Sequence, residues 1–524
     1  VVAATEAAGA AVLPGEGTAA DFARCGYHRQ LDLDASRWRD AAAAFRKGEY
    51  FLLDLLGVDR GDRLEVLAFY DRHVPGDRVK AVLTLGPENP EAPSIGDIFA
   101  NARYYEREIF EFYGISFAGN QDLRYLFLHD GLDHFPLRKG KVPVSPEARA
   151  RLTASPFDSR REDLFYLNMG PQHPSTHGVL RVVLGMTGEY VEIADPVVGY
   201  LHRMHEKMGE NRTWSQFLPN TPRMDYAAAM TYNLAYVLAV ERLAGIVPAR
   251  RATVLRTITT ELNRIASHML WLGAYLADLG ALTPFLYAFD DRENIQDVLD
   301  RFTGSRLTYC WFRFGGVSCE VDDQFVPSVR KLVDRMRHRL DVYEKLVGGN
   351  VIFHYRTRDV GRLTLDTARD YAVTGPGLRA SGVPYDVRHA EPYELYRDLG
   401  CRVPHGRTGD ALDRYRMRIL DLHHTLDLVE RALPLLETGP IMAEKVPKRL
   451  KPPAGDVYQV VESPRGTLGV YLLSGGAEKA ERNHWRVPSF PHLMVSAALM
   501  ERHLVADAVS IMGSFDLVIP EIDR

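Results

Sequence analysis

An α+β fold is expected: a small N-terminal α/β domain, then a larger, mainly helical bundle domain with antiparallel β-sheet at its periphery. Three observations predict it. Residues 50–85 read as short strands, with Val79, Ala81, Leu83 and Leu85 alternating. Between 226 and 436, apolar residues recur at helical spacing over several long stretches. After 457, short strand-like runs return.

Residues 1–22, rich in Ala, Gly and Thr with no basic start, are expected to form a flexible tail rather than a signal peptide. The first domain is placed at 23–147. Within it, 37–47 predicts a short helix, 50–58, 64–73 and 78–85 predict strands, and 95–113 carries helical spacing. Its tail, 123–146, ends in basic residues and prolines. The polar run 148–163 is read as a linker. The second domain is placed at 164–524. It opens with a hairpin over 179–192, turning near Gly188. Helices follow at 226–243, 249–279, 291–302, 326–346 and 409–436. The second of these is the clearest, with Val254, Ile258, Leu262, Ile265, Met269 and Leu272 on one stripe. Short connections between helices of this length imply a bundle. Strands are expected again at 457–462 and 467–473.

Composition narrows the function. Of 524 residues, 46% are hydrophobic and 25% charged, the balance of an ordinary globular protein. With 64 basic and 69 acidic side chains the formal charge is −5, so no basic footprint for nucleic acid is present. The most apolar run, 268–289, contains Asp278, Gly280 and Pro284 and reads as a buried helix followed by a turn rather than a membrane span. The four cysteines, Cys25, Cys310, Cys319 and Cys401, form no Cys-x-x-Cys pair. That spacing offers neither a closed zinc site nor a self-contained iron–sulfur cluster, and so few thiols suit a reducing compartment.

The chemistry concentrates between 170 and 226. Gly-Pro-Gln-His-Pro-Ser-Thr-His-Gly at 170–178 places His173 and His177 in a loop whose path glycine and proline fix. Thr-Pro-Arg-Met-Asp-Tyr at 221–226 places Arg223, Asp225 and Tyr226 where a long helix is expected to begin. Such groups bind a polar head group and deliver protons, and none of them is a thiol.

These segments carry a resemblance. Residues 170–178, Gly199-Tyr-Leu-His202, Glu206-Lys207, 221–226, Arg379-Ala-Ser-Gly382, Asp386-Val-Arg388 and Pro488-Ser-Phe490 resemble the D (49 kDa) subunit of respiratory complex I. Tyr105-Glu-Arg-Glu108, Phe112-Tyr-Gly-Ile115, Asp122-Leu-Arg124 and Pro136-Leu-Arg-Lys139 resemble its C (30 kDa) subunit. Both sets run in order, so the chain is similar to a fused C/D subunit of a proton-translocating NADH:quinone oxidoreductase. The 49 kDa subunit is related to the large subunit of nickel–iron hydrogenases, whose metals are held by thiolates in two Cys-x-x-Cys pairs. Here those places read 223–228 and 516–524. Arg223, Asp516, Asp523 and Arg524 remain, and no cysteine does.

The resemblance implies that a quinone occupies the vacated site. It assigns His177 and Tyr226 as the groups that hold and protonate the quinone, Asp278 as the carboxylate paired with His177, and Arg223 as the charge beside an iron–sulfur cluster of a neighbouring subunit. No metal and no cofactor would be held by this chain alone. Implied partners are a cluster-bearing B-type subunit, a ferredoxin-like I-type subunit and the membrane subunit that completes the quinone tunnel. The implied location is peripheral, on the cytoplasmic face of the bacterial plasma membrane. Two other readings compete: a metal-bearing hydrogenase-like large subunit, against which the missing thiols stand, and a noncatalytic scaffold subunit.

Several residues also have plainer roles. His268, in mid-helix, reads as a packed, hydrogen-bonded core histidine, and His173 as loop-shaping. Arg223 has a structural alternative, burial in an ion pair with a carboxylate such as Asp225. Two departures stand out. Thr308 occupies the place of a family histidine that couples the cluster's potential to pH. Met204-His205 stand where Gly-Thr is usual before Glu206.

Overall fold

The computed structural model describes residues 17–74, 76–154, 161, 163–173 and 178–524. The chain divides into two compact units. One runs to Arg161 and takes in Arg369–Ala372; the other holds the rest.

The first unit is built on a five-stranded sheet in the order Thr18–Ala19, Arg29–Leu33, Val79–Leu85, Leu64–Asp71, Phe51–Asp59. Arg29–Leu33 runs parallel to Val79–Leu85; every other neighbour is antiparallel. The sheet therefore takes in part of the stretch expected as a tail, while residues 1–16 lie outside the described residues. The helix Ala35–Lys47 starts where the Asp34 carboxylate accepts the Arg37 N–H at 3.0 Å and buries Trp38, Ala41, Ala42 and Phe45. The expected helix over 95–113 begins only at Ala102. The residues before it form a turn, held by the buried Glu106 carboxylate, which accepts the Ile95 N–H at 2.8 Å and the Ser94 hydroxyl at 2.7 Å. A helix Pro146–Leu152 occupies the head of the polar stretch read as a linker. Ser145 caps it and proline leads it.

In the second unit, Phe165–Met169, Arg181–Thr187 and Tyr190–Val197 form an antiparallel sheet that turns tightly at Gly188. The helix Arg250–Asp278 is the axis of the bundle. It packs on Leu282–Thr303, Ala411–Ala432, Ala229–Ala244 and Val505–Phe515. One apolar stripe was expected, yet every residue from 254 to 269 is buried. The polar residues on its remaining faces, Arg256, Glu261, Arg264 and His268 among them, are buried with partners rather than solvated. The next helix starts at Leu282, nine positions earlier than expected. Pro284 lies in its first turn, where no intrahelical N–H is required. Asp291, taken for the helix start, lies inside it and binds Tyr343 Oη at 2.6 Å and Arg339 Nε at 2.7 Å.

A second sheet, Gly455–Glu462, Thr467–Ser474 and Ala480–Arg486, backs the bundle. Its third strand was not expected; Arg482, His484 and Arg486 interrupt any apolar run there, and all three are buried. The C-terminal helices Ser489–Met500 and Val505–Phe515 were also missed. Among the described residues, no helix is long and apolar enough to cross a membrane.

Candidate functional site

The segment carrying Tyr226 lies between a 3-10 helix, Leu218–Arg223, and the helix Ala229–Ala244. That helix was expected to begin at Tyr226. Asp225 delays it: its Oδ1 accepts the N–H groups of Ala227 and Ala228, both at 3.0 Å, turning the backbone before the first helical residue. A second tie comes from Asn263 on the central helix, which donates to Ala227 O at 3.1 Å and accepts from Met230 N at 3.0 Å.

The other oxygen of Asp225 binds Arg465 Nη1 at 2.6 Å, and both side chains are fully buried. Arg465 projects from the turn between Gly455–Glu462 and Thr467–Ser474. It also donates to Ser267 Oγ at 3.3 Å and lies 3.7 Å from Asp516 and 3.7 Å from Glu521. Glu521 is pushed up to about 7, chiefly by burial and then by the neighbouring Asp225 charge. The two places where the hydrogenase relation would put cysteine pairs are thus joined by an arginine ion-paired to carboxylates. Neither Arg465 nor Glu521 was picked out from the sequence. The available signal was an arginine in a tight Pro-Arg-Gly turn between two apolar strands.

Tyr226 is half-buried, and among the described residues its hydroxyl has no hydrogen-bond partner. Burial first, then the Asp225 charge, raises its proton affinity; Arg465 and Arg292 act in the opposite sense. Arg292, on the helix Leu282–Thr303, is a further neighbour that sequence reasoning missed. Arg223 is exposed and, among the described residues, bonds only the Pro219 carbonyl. The alternative of burial against Asp225 is excluded: Arg465 takes that carboxylate.

Asp278 is the last residue of the central helix and is half-buried. It lies 11 residues beyond Ser267, roughly 16 Å along the helix axis, so it does not join the Arg465 cluster. His177 and the residues 174–176 lie outside the described residues. The flanking pairs Gln172–His173 and Gly178–Val179 run antiparallel, and His173 is exposed. Gly170 at their base has φ +89°, and a Cβ there would fall 1.9 Å from Leu180 O, so only glycine fits. Gly178 lies against Ile519, two residues from Glu521.

The motif residues Arg379, Asp386 and Arg388 form a separate buried network. Arg388 binds Asp386 at 2.8 Å, Asp421 at 2.7 Å and Glu261 at 3.1 Å; Arg379 binds Glu462 at 2.9 Å and Asp386 at 3.2 Å. His268 Nε2 meets Asp421 at 3.0 Å and is the hydrogen-bonded core histidine expected. Burial drives it down to about 4, so it is held neutral. Glu206, from another motif, binds Arg482 at 2.7 Å and His484 at 2.9 Å. Burial opposes its ionisation, but Arg482, His484 and Arg524 together hold it well below the usual carboxylate range. These motif residues hold charge in the core.

Comparison with known proteins agrees with this architecture. A family described as respiratory-chain NADH dehydrogenase, 49 Kd subunit, matches residues 278–452 and 445–524, and one described as the 30 Kd subunit matches residues 31–146. The D-type NADH-quinone oxidoreductase subunit of Syntrophobacter fumaroxidans is 55% identical over 363 residues, spanning 69% of this chain and 97% of that protein. The fused C/D subunit of the same enzyme from Gluconacetobacter diazotrophicus is 34% identical over 540 residues, spanning 93% of this chain and 89% of that protein. The chain belongs to the fused C/D family of respiratory complex I. It is therefore one subunit of an oxidoreductase assembly. In this complex I chain Arg465, Asp516 and Glu521 lie within the stretch that the 49 Kd family matches, whereas Asp225, Tyr226 and Ser267 precede it.

Proposed function

We propose that this chain forms one wall of the quinone-reduction site of a proton-translocating NADH:quinone oxidoreductase, beside the terminal iron–sulfur cluster of a B-type subunit. Reduction of a quinone to its hydroquinone consumes two electrons, delivered from that cluster, and two protons. His177 and Tyr226 hydrogen-bond the two carbonyl oxygens and pass protons to them, each being reloaded from solvent-linked groups. Asp278 pairs with His177, favouring its protonated form and fixing its tautomer. Arg223, exposed and bonded among the described residues only to Pro219, is available to face the partner's cluster, where a fixed positive charge favours the reduced state. The chain sits peripherally on the cytoplasmic face of the plasma membrane. The electron and quinone paths are completed by a ferredoxin-like I-type subunit and a tunnel-forming membrane subunit.

The observation that carries this reading is the Tyr226 phenol. It is half-buried beside Asp225 and Arg465, with no hydrogen-bond partner among the described residues. A phenolic donor suits a quinone carbonyl. The stem of the His177 loop lies on the same C-terminal segment as Glu521, which supports both residues serving one site.

His177→Ala and Tyr226→Phe should each slow quinone reduction by roughly 10²-fold or more while the complex still assembles. Parental quinone turnover in both variants would refute the assignment. Nickel in stoichiometric amount in the purified complex, bound to this chain, would favour the hydrogenase-like reading instead.

A further inference from the structure

Tyr226 has no anchor of its own. Its hydroxyl takes no hydrogen bond among the described residues, so the position of the phenol is inherited from the backbone that carries it. That backbone is neither helix nor strand. It is a five-residue turn between the 3-10 helix Leu218–Arg223 and the helix Ala229–Ala244, and the charged side chain that shapes it from within is Asp225. One oxygen of Asp225 is spent on the N–H groups of Ala227 and Ala228. The other meets Arg465, whose own turn lies 240 residues away in the sequence.

Arg465 is tied in turn to the central helix through Ser267 and faces Asp516 and Glu521 on the C-terminal segment. Four stretches of chain distant in sequence therefore meet at one guanidinium. Its planar fork can satisfy several acceptors in a fixed geometry, which a single ammonium cannot do. Asn263 restrains the turn on the far side of Tyr226, but through neutral bonds to Ala227 and Met230 only.

We infer that Arg465 is a positioning residue for the quinone reaction, holding Tyr226 in place through its buried ion pair with Asp225. The inference rests on the reading of Tyr226 as a proton-delivering contact of the quinone. The arginine touches no quinone; it acts through Asp225 and the turn. Losing it lets the turn shift, and a displacement of about 1 Å at a reacting group costs on the order of 10²-fold in rate.

The test uses the assembled complex and a short-chain quinone, with kcat and KM measured for Arg465→Met, Arg465→Lys, Asp225→Asn, Tyr226→Phe and each of the first three combined with Tyr226→Phe. The expected result is a fall in kcat of at least about tenfold for Arg465→Met, with KM moving much less. Arg465→Lys should recover part of the rate. Adding Tyr226→Phe to Arg465→Met should cost no more than about twofold further, because the phenol is already misplaced. If Arg465→Met does not assemble, Asp225→Asn carries the same expectation, since it keeps the Ala227 and Ala228 acceptor and loses only the ionic half. A parental kcat in Arg465→Met, or losses that multiply fully with Tyr226→Phe, would overturn the inference alone. A parental rate in Tyr226→Phe itself would overturn the underlying reading as well.

Discussion

Met204 holds a backbone conformation that few side chains accept. Its φ is +54°, in the left-handed region, at the head of the helix His205–Asn211. The resemblance leads to the expectation of Gly-Thr at 204–205, and this geometry would suit such a glycine: a left-handed residue with a Cβ costs about 1–2 kcal/mol. The Met204 sulfur lies 3.0 Å from His202 Nε2, whose other ring nitrogen faces the Asp523 carbonyl. Met204→Gly should therefore stabilise the protein by about 0.5–1 kcal/mol after the extra unfolded-state freedom of glycine is subtracted. It should appear as a higher urea midpoint at unchanged m value. A lower midpoint would mean that the sulfur–imidazole contact outweighs the backbone strain. Local chemistry of this kind was only half legible in the sequence. The Met-His departure was visible, but the conformation that makes it costly was not. Asp225 shows the same limit: the sequence suggests Arg223 only as an alternative partner for it, and the partner is Arg465, which the sequence does not single out.

At the scale of elements, the buried network ties the central helix to Gly375–Ala380, Val387–Ala390, Ala411–Ala432 and the strand ending at Glu462. Three arginines, Arg264, Arg379 and Arg388, face four carboxylates, Glu261, Asp386, Asp421 and Glu462. The surplus negative charge falls on Glu462. Burial, and then the Asp386 charge, push it up to about 7 from an ordinary 4.5, despite Arg379 at 2.9 Å. A carboxyl raised on folding stabilises the native state fully below its unfolded value, and that contribution is lost as pH rises through the folded value. From about pH 4.5 to about pH 7, then, Glu462 makes the native state progressively less stable. Glu462→Gln, neutral throughout, removes this loss. The melting temperature of the variant relative to the parent should rise across that window and level off above it, as thermal unfolding of the purified protein at a series of pH values would reveal. A constant difference would place the titration elsewhere. The elements themselves were mostly legible, because helix and strand periodicities are local. Two of the failures involve buried charge: the strand Ala480–Arg486 was not expected, and the central helix looked one-sided.

For the whole molecule, on the proposed placement beside the cluster of a B-type subunit, Thr308 bears on that partner rather than on this chain. It is half-buried in the turn region after Leu282–Thr303, and its hydroxyl cannot exchange a proton near neutral pH as a histidine would. In the assembled complex, the neighbouring cluster should show a midpoint potential nearly independent of pH between about pH 6 and 8, and Thr308→His should introduce a slope. Redox titration followed by EPR measures both, and a steep slope in the parent would remove Thr308 from that role. Membership of the fused C/D family of complex I was legible in the order of the motifs, and the lack of thiolate pairs was legible by inspection, since four cysteines in no Cys-x-x-Cys spacing cannot rebuild a hydrogenase centre. The amino-acid order by itself thus settled which family this is and which periodicities make its helices. Only the tertiary structure decided how the buried charges pair: Asp225 meets Arg465 from 240 residues away, with Asp516 and Glu521 of the C-terminal segment beside it. Periodicity reports on neighbours along a chain, whereas a buried charge is satisfied by whichever group the fold carries to within about 3–4 Å.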